Sequence, residues 1–217
     1  MNVVFVMVGT KYVPQQVNHL FESLIKYKPD YKYHCYTDAV DTSEFDKRIT
    51  IIPTMPKPKL VGVWNKLAIF SSKFPIKGKI IYFDIDTIIV ANPFNVDIDW
   101  DKFTMVNCHW KPASIIRLSN YDVTFNSSVL AWDTDSEITP QFWDHFIYSG
   151  QKDYFLRKYV GIDRYLKHEY FDKDDFAYFP HDYIQSYKYE QRKQAPVITF
   201  EELDFGSIDI NSVAQTY

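Results

Sequence analysis

Lys79-Ile-Ile-Tyr-Phe-Asp-Ile-Asp-Thr-Ile-Ile-Val90 is a β-branched and aromatic run interrupted by two carboxylates, Asp84 and Asp86. An apolar run of this length and composition reads as a strand buried on both faces, the kind found in a parallel sheet covered by helices. The turn residues Lys77-Gly78-Lys79 precede it and Pro93 follows, so Ile80 to Val90 is expected to form one central strand. In a regular strand, residues two apart project to the same face, which would bring both carboxylates to one place. Two like charges side by side in an apolar setting are costly unless a cation compensates them. Hard carboxylate oxygens suit Mg2+ or Mn2+. Such an ion can clamp a diphosphate and offset the charge of a departing phosphate. The alternative is that the strand ends near Phe83 and the aspartates simply form a turn.

Working outward from this strand, the N-terminal side repeats a strand–helix alternation. Asn2 to Val8 is a continuous apolar run ended by Gly9 and Thr10. Gln15 to Tyr27 places Val17, Leu20, Phe21, Leu24 and Ile25 at helical spacing. Tyr31 to Tyr36 and Ile49 to Ile52 read as further strands, the second stopped by Pro53. Met55 to Leu60, with Pro56 and Pro58, reads as an irregular loop, and Trp64 to Phe70 as a helical start. On the C-terminal side, Phe103 to Cys108 and Val123 to Trp132 read as strands. Thr139 to Tyr148 reads as a helix with Thr139 as its cap and Pro140 at its first position. Gly161 to Tyr170 reads as another helix, Phe176 to Tyr189 as aromatic and mixed, and the stretch from Glu201 as an acidic tail. The pattern implies an α/β fold: one domain with a mostly parallel central sheet flanked by helices, binding ligands beyond the carboxyl ends of its strands.

Composition narrows the function classes. A net charge of -4 with no long basic run gives no indication of a duplex-binding surface, so no nucleic-acid partner is expected. Lys188 to Lys193 is a short basic cluster mixed with Glu190 and reads as a solvated face. With only 6 glycines and no Gly-rich phosphate motif, dinucleotide and P-loop cradles are excluded. Cys35 and Cys108 belong to no Cys-x-x-Cys pair and read as buried free thiols. The N-terminal apolar run is too short and uncharged for a secretory signal peptide, and no run reaches the length of an integral membrane segment. The expectation is a soluble, cytoplasmic protein. An aromatic content of 18% is high; much of it reads as core, and Tyr and Trp also make good walls for sugar rings and flat bases.

The aspartate strand resembles the metal-binding strand of GT-A-type (Rossmann-like) glycosyltransferases, above all the glycogenin-like family 8 with its Asp-x-Asp-Thr. Four other segments resemble the same family in the same order: Val3 to Tyr12 its first strand and nucleotide loop, Val63-Trp64-Asn65-Lys66-Leu67 its Lys-Leu helix, Phe125-Asn126-Ser127-Ser128-Val129 its Phe-Asn-Ser-Gly-Val motif, and Gly161-Ile162-Asp163 its Gly-Asp-Gln helix start. The resemblance covers about residues 1 to 170. It implies a nucleotide-binding half over about 1–90, a sugar and acceptor half over about 91–200, and a tail from 201 to 217. It also implies that Val8, Gly9, Thr10 and Tyr12 line the nucleobase pocket, with Tyr12 stacked on a uracil; a half-exposed loop aromatic is the plainer role for Tyr12. Lys66 would reach the diphosphate or the sugar; a lone surface lysine is its plainer role. Asp84 would meet ribose or metal, Ile85 would contact the nucleotide or sugar, and Asp86 would ligate the metal. Asn126 and Ser127 would hydrogen-bond the donor sugar or the acceptor, unless Asn126 to Ser128 is a strand kink. Asp163 would orient sugar hydroxyls or stabilise charge at the anomeric carbon, alongside Asn126 as a catalytic candidate. Its alternative is a first-turn carboxylate on its helix.

Three departures accompany the resemblance. The late His-x-Gly-x-x-Lys-Pro segment that supplies a third metal ligand is missing, leaving His181, water, Asp204 or Asp209 as substitutes. Arg164 stands where the family has Gln, and Ser128 where it has Gly. The resemblance implies a metal-dependent transferase that moves a hexose from a UDP-sugar, UDP-glucose or UDP-galactose foremost, to a glycan or other hydroxyl acceptor, with retention. The competing expectations are a metal-dependent phosphohydrolase or nucleotidyltransferase on the same aspartate pair, and a nucleotide-sugar-binding module without catalysis. Against the phosphohydrolase, Thr87 directly follows Asp86 and the pair sits mid-chain.

Overall fold

The computed structural model describes residues 1–110, 124–159, 161–170, 174–187 and 195–199. Its strands are β1 (Asn2–Met7), β2 (Lys32–Thr37), β3 (Ile49–Pro53), β4 (Lys79–Phe83), β5 (Thr87–Ile89), β6 (Phe103–Asn107), β7 (Phe125–Asp133), β8 (Phe176–Tyr178), β9 (Ile184–Ser186) and β10 (Val197–Thr199). Its helices are α1 (Pro14–Ile25), α2 (Ile138–Tyr148), α3 (Lys152–Lys158) and α4 (Ile162–Tyr170), with a 3-10 helix over Gly62–Phe70. The main sheet has the order β3-β2-β1-β4-β7-β6-β8. β1, β2, β3 and β4 pair in parallel, β7 runs antiparallel to both its neighbours, and β8 pairs in parallel with β6. This is the expected mostly parallel α/β sheet.

The uninterrupted apolar strands have a direct use here, because both faces of the sheet are covered. Val4 of β1 joins a core with Trp64, Leu67 and Phe70 of the 3-10 helix and with Phe142, Phe146, Phe155 and Tyr165 of α2, α3 and α4. Val3 and Phe5, pointing the other way, pack with Val17, Leu20, Phe21 and Leu24 of α1. Alternate residues of a strand face opposite sides, so a strand sandwiched between two helical layers must be apolar throughout. Trp64 stacks on Phe146 with ring centroids 4.7 Å apart, which fixes the 3-10 helix against α2. Cys35 and Cys108 are buried free thiols, as their setting implies. Among the described residues, no helix is long and apolar enough to cross a membrane.

Two local expectations are corrected. The run from Ile80 to Val90 is not one strand: β4 stops at Phe83, and Asp84 to Asp86 form a turn. The amide of Thr87 and its hydroxyl both donate to the carbonyl of Asp84, at 3.2 and 2.7 Å, and close that turn. The chain then leaves the main sheet, and β5 pairs antiparallel with β10 in a second sheet of order β5-β10-β9. The second correction concerns α2, which begins at Ile138 with Glu137 flanking it, ahead of the expected Thr139 cap. Ile138 and Thr139 are both buried, so packing sets the start; Pro140 is tolerated because amides of the first turn have no intrahelical partner anyway. The mixed segment after Phe176 resolves into β8 and β9, and α3 and β10 carry no periodicity strong enough to announce them. Lys188 to Lys193 and the tail from Glu201, with Asp204 and Asp209, lie outside the described residues.

Candidate active site at the carboxyl edge of the sheet

The site is built where β4 ends. β7 pairs with β4 through Phe83 and Val129, and next the Asp84 amide donates to the Ser128 carbonyl at 2.7 Å. On its other side β7 loses register with β6: Met105 faces Leu130, whereas the following Val106 faces Asn126. The intervening Ser127 to Val129 therefore form an irregularity, and such bulges bend a strand and re-aim its side chains. The Asn126 side-chain oxygen accepts from the Ser128 amide at 2.7 Å and steadies the bend. Ser128 in turn ties this segment to the second sheet, its hydroxyl 3.0 Å from that of Thr199. The segment foreseen as a possible strand kink is kinked, and the kink carries it over the end of β4.

The floor of the site is a lysine-centred network. Lys66, on the 3-10 helix, is 8% exposed. Its Nζ donates to the carbonyl and the hydroxyl of Ser127, both at 3.0 Å, and lies 2.8 Å from Asp84 Oδ1. All three ammonium protons are thus engaged. The same Nζ sits 4.8 Å from the centre of the Tyr82 ring. The Tyr82 hydroxyl donates to Asp84 Oδ1. Burial, with the Asp84 charge adding to it, holds the Tyr82 phenol well above its ordinary pKa, so it remains a donor. Burial likewise raises the Asp84 carboxyl above the usual carboxylate range; Lys66 opposes the shift and Asp86 adds to it.

The rim is built differently. Asp86 Oδ2 accepts from the Tyr12 hydroxyl at 2.6 Å and from Lys11 Nζ at 3.1 Å. Burial first, then the charges of Asp86 and Asp84, raise the Tyr12 phenol far above its ordinary pKa and keep it protonated. Lys11 and Tyr12 lie on the loop after β1, which Gly9 opens with φ +83, a conformation side-chain-bearing residues rarely adopt. The Gly9 amide donates to Asp38 Oδ1 at 3.0 Å, joining that loop to the end of β2. Beside it lies a solvent-open cavity of about 200 Å3 lined by Val8, Tyr36, Asp38, Met55, Leu60 and Asn65 among others. Asn65 precedes Lys66 on the 3-10 helix, so cavity and lysine network adjoin.

The structure therefore brings Asp84, Asp86, Lys66, Ser127 and Tyr12 into linked networks, with Asn126 beside them. Val8 lines the cavity, and Gly9 and Thr10 belong to its loop. The Ile85 side chain is packed into the core on the α1 side of the sheet. Asp163 stands outside the hydrogen-bonded network, in the first turn of α4, with Oδ1 buried and without a hydrogen-bond partner among the described residues. Gly161, just before α4, lies against Val63, and a Cβ there would meet Val63 at 3.3 Å. The Asp163 segment is thereby packed on the segment that leads to Lys66. His181 is exposed and stacks on His109, ring centroids 3.4 Å apart. Among the described residues no three His, Cys, Asp or Glu side chains form a metal-binding group, so His181 does not join the aspartates. Sequence reasoning missed Lys11, Tyr82 and Asp38. Tyr82 reads as an ordinary strand aromatic and Lys11 as an ordinary surface lysine, and only their partners reveal them.

The donor set suits a divalent cation shared with a substrate. The contacts of Asp84 all fall on Oδ1 and those of Asp86 on Oδ2, leaving one oxygen of each without a protein hydrogen bond among the described residues. Two hard oxygens do not make an all-protein cage, but Mg2+ and its analogues are commonly held by one or two carboxylates with substrate phosphates and water.

The fold matches solved glycosyltransferase structures. An active-site mutant of LgtC aligns over 94% of this chain and 88% of its own, with a TM-score of 0.65 and 12% identity. GlyE of Streptococcus pneumoniae aligns over 99% of this chain and 60% of its own, with a TM-score of 0.63 and 15% identity. Mouse xyloside xylosyltransferase 1 aligns over 93% and 98%, with a TM-score of 0.54 and 10% identity. No protein-family model matches the chain, and no curated protein sequence does. At these identities the likeness is one of fold: the chain has the GT-A architecture, resembling that of the family 8 enzymes.

Proposed function

We propose that this chain is a metal-dependent glycosyltransferase that moves a hexose from a UDP-sugar, UDP-glucose or UDP-galactose, to a hydroxyl acceptor such as a glycan, with retention, as a soluble cytoplasmic enzyme. The observation that carries the reading is the convergence of Asp84, Asp86, Lys66 and Ser127 at the carboxyl end of β4 in a GT-A fold. Ligands of open α/β sheets bind at that edge. The adjoining cavity, lined by Val8, Tyr36 and Asn65, lies at that edge and is the candidate nucleoside site.

Asp84 and Asp86 would hold Mn2+ or Mg2+, which supplies positive charge to a departing diphosphate. Lys66 acts from beneath: it fixes the carboxylate of Asp84 and the backbone of Ser127 in one position. Ser127 Oγ accepts from Lys66 and so keeps its own proton to donate to a sugar hydroxyl. Asn126 stands beside it for the same task, and Asp163, with one oxygen lacking a hydrogen-bond partner among the described residues, is the candidate to orient the donor sugar or stabilise charge at the anomeric carbon. Among the described residues both carboxylates of the network are assigned to the cation, so front-face displacement is the proposed route to retention.

Calorimetric titration of UDP, with and without Mn2+, into wild type and Asp86→Ala tests the reading. Metal-dependent binding that Asp86→Ala abolishes, followed by slow hydrolysis of one UDP-sugar in a donor screen, is the expected result. A folded wild-type protein that binds no UDP under either condition would overturn it.

A further inference from the structure

Lys11 has an unusual position for an exposed lysine. Its side chain is 62% exposed, yet Nζ is held by two side chains at once, Asp86 and Tyr12. It lies 3.1 Å from Asp86 Oδ2, donates to the Tyr12 hydroxyl and sits 4.5 Å from the centre of the Tyr12 ring. Its partner Asp86 is only 15% exposed, and Lys11 and Tyr12 meet it at the same oxygen. The two aspartates and the two lysines, Lys66 and Lys11, form a cluster whose formal charges cancel.

The two lysines differ in whether they can leave. Lys66 is buried, and its departure would take a partner from Asp84 and from Ser127 together. Lys11 needs only a side-chain rotation to place its ammonium in water. A divalent cation drawn to Asp86 would meet the Lys11 charge at the same carboxylate, and like charges at such a distance repel. An anionic diphosphate changes the balance, because it offers the displaced ammonium a new partner.

We propose that Lys11 is the resident counter-ion of Asp86, that it competes with the divalent cation for that carboxylate, and that diphosphate binding relieves the competition. The inference rests on the reading of Asp84 and Asp86 as a cation site shared with a nucleoside diphosphate. Its consequence is a coupling free energy: the cation binds weakly to the nucleotide-free protein and more tightly with nucleotide, and the effect is reciprocal.

The test is calorimetric titration of Mn2+ into wild type, Lys11→Gln and Lys11→Arg, each alone and with saturating UDP. Without UDP, Lys11→Gln is expected to bind Mn2+ about tenfold more tightly than wild type, the effect of removing one neighbouring positive charge. Lys11→Arg should stay near wild type. The enhancement of Mn2+ binding by UDP should shrink in Lys11→Gln by a similar factor. If Mn2+ binds wild type and Lys11→Gln within about twofold of each other, Lys11 is not the competitor, while the cation site itself stands. If no variant and no wild-type sample binds Mn2+, with or without UDP, both the competition and the underlying cation site are refuted.

Discussion

Asp84 and Asp86 are two residues apart and chemically identical, yet the molecule holds one as a floor and the other as a rim. Asp84 meets Lys66 and Tyr82 from beneath, inside a network in which the lysine has no spare proton. Asp86 meets Lys11 and Tyr12 from the side, on a loop with one member largely in solvent. A buried ion pair contributes little net stability when intact, but removing one partner leaves an uncompensated charge and is severe. An exposed pair contributes little either way. The difference teaches that the floor is there to stay put, and the rim to exchange partners.

The sharpest way to break this contrast is Lys66→Met, which should lower unfolding free energy by about 3 kcal/mol in denaturant titration. The deficit should depend on pH. The folded-state pKa of Asp84 is already raised by burial, and without Lys66 it rises further. Protons then bind the native state more readily than the unfolded one, so stability recovers as pH falls through the raised pKa toward the ordinary carboxylate value, and gains nothing below it. A deficit that stays constant with pH would mean that Asp84 does not carry the charge assigned to it. Tyr82→Phe removes one charge-assisted hydrogen bond from the same carboxylate and should cost about 2 kcal/mol by thermal or chemical unfolding. Ser127→Ala keeps the backbone contact to Lys66 and loses only the hydroxyl, so about 1 kcal/mol is expected. At the rim, Lys11→Gln should shift stability by less than about 0.5 kcal/mol, measured the same way. A Lys11 effect as large as that of Lys66 would erase the distinction between floor and rim.

Legibility of the sequence followed the same division. The first four strands of the main sheet, α1 and the helical turn bearing Lys66 were readable, because strands covered on both faces must be apolar and α1 shows its buried face at helical spacing. The aspartate pair was readable as a site, since carboxylates inside such a run demand compensation. Its geometry was not. Alternation along an unbroken strand would have brought the two side chains together, whereas the structure does so with a turn that Thr87 closes. The second half was harder: β7 runs against the parallel grain, and α3, β9 and β10 are too short to display a period.

The order of apolar runs and the placement of the two aspartates by themselves determined an α/β sheet with a charged site at the end of its central strand, because local periodicity and the cost of buried charge act along the chain. Which cation answers which carboxylate was decided only by tertiary structure. Lys66 and Ser127 are 61 residues apart, as Lys11 and Asp86 are 75 apart. Such pairings follow from sheet order and from the irregularity in β7, through contacts between distant segments that no local pattern encodes.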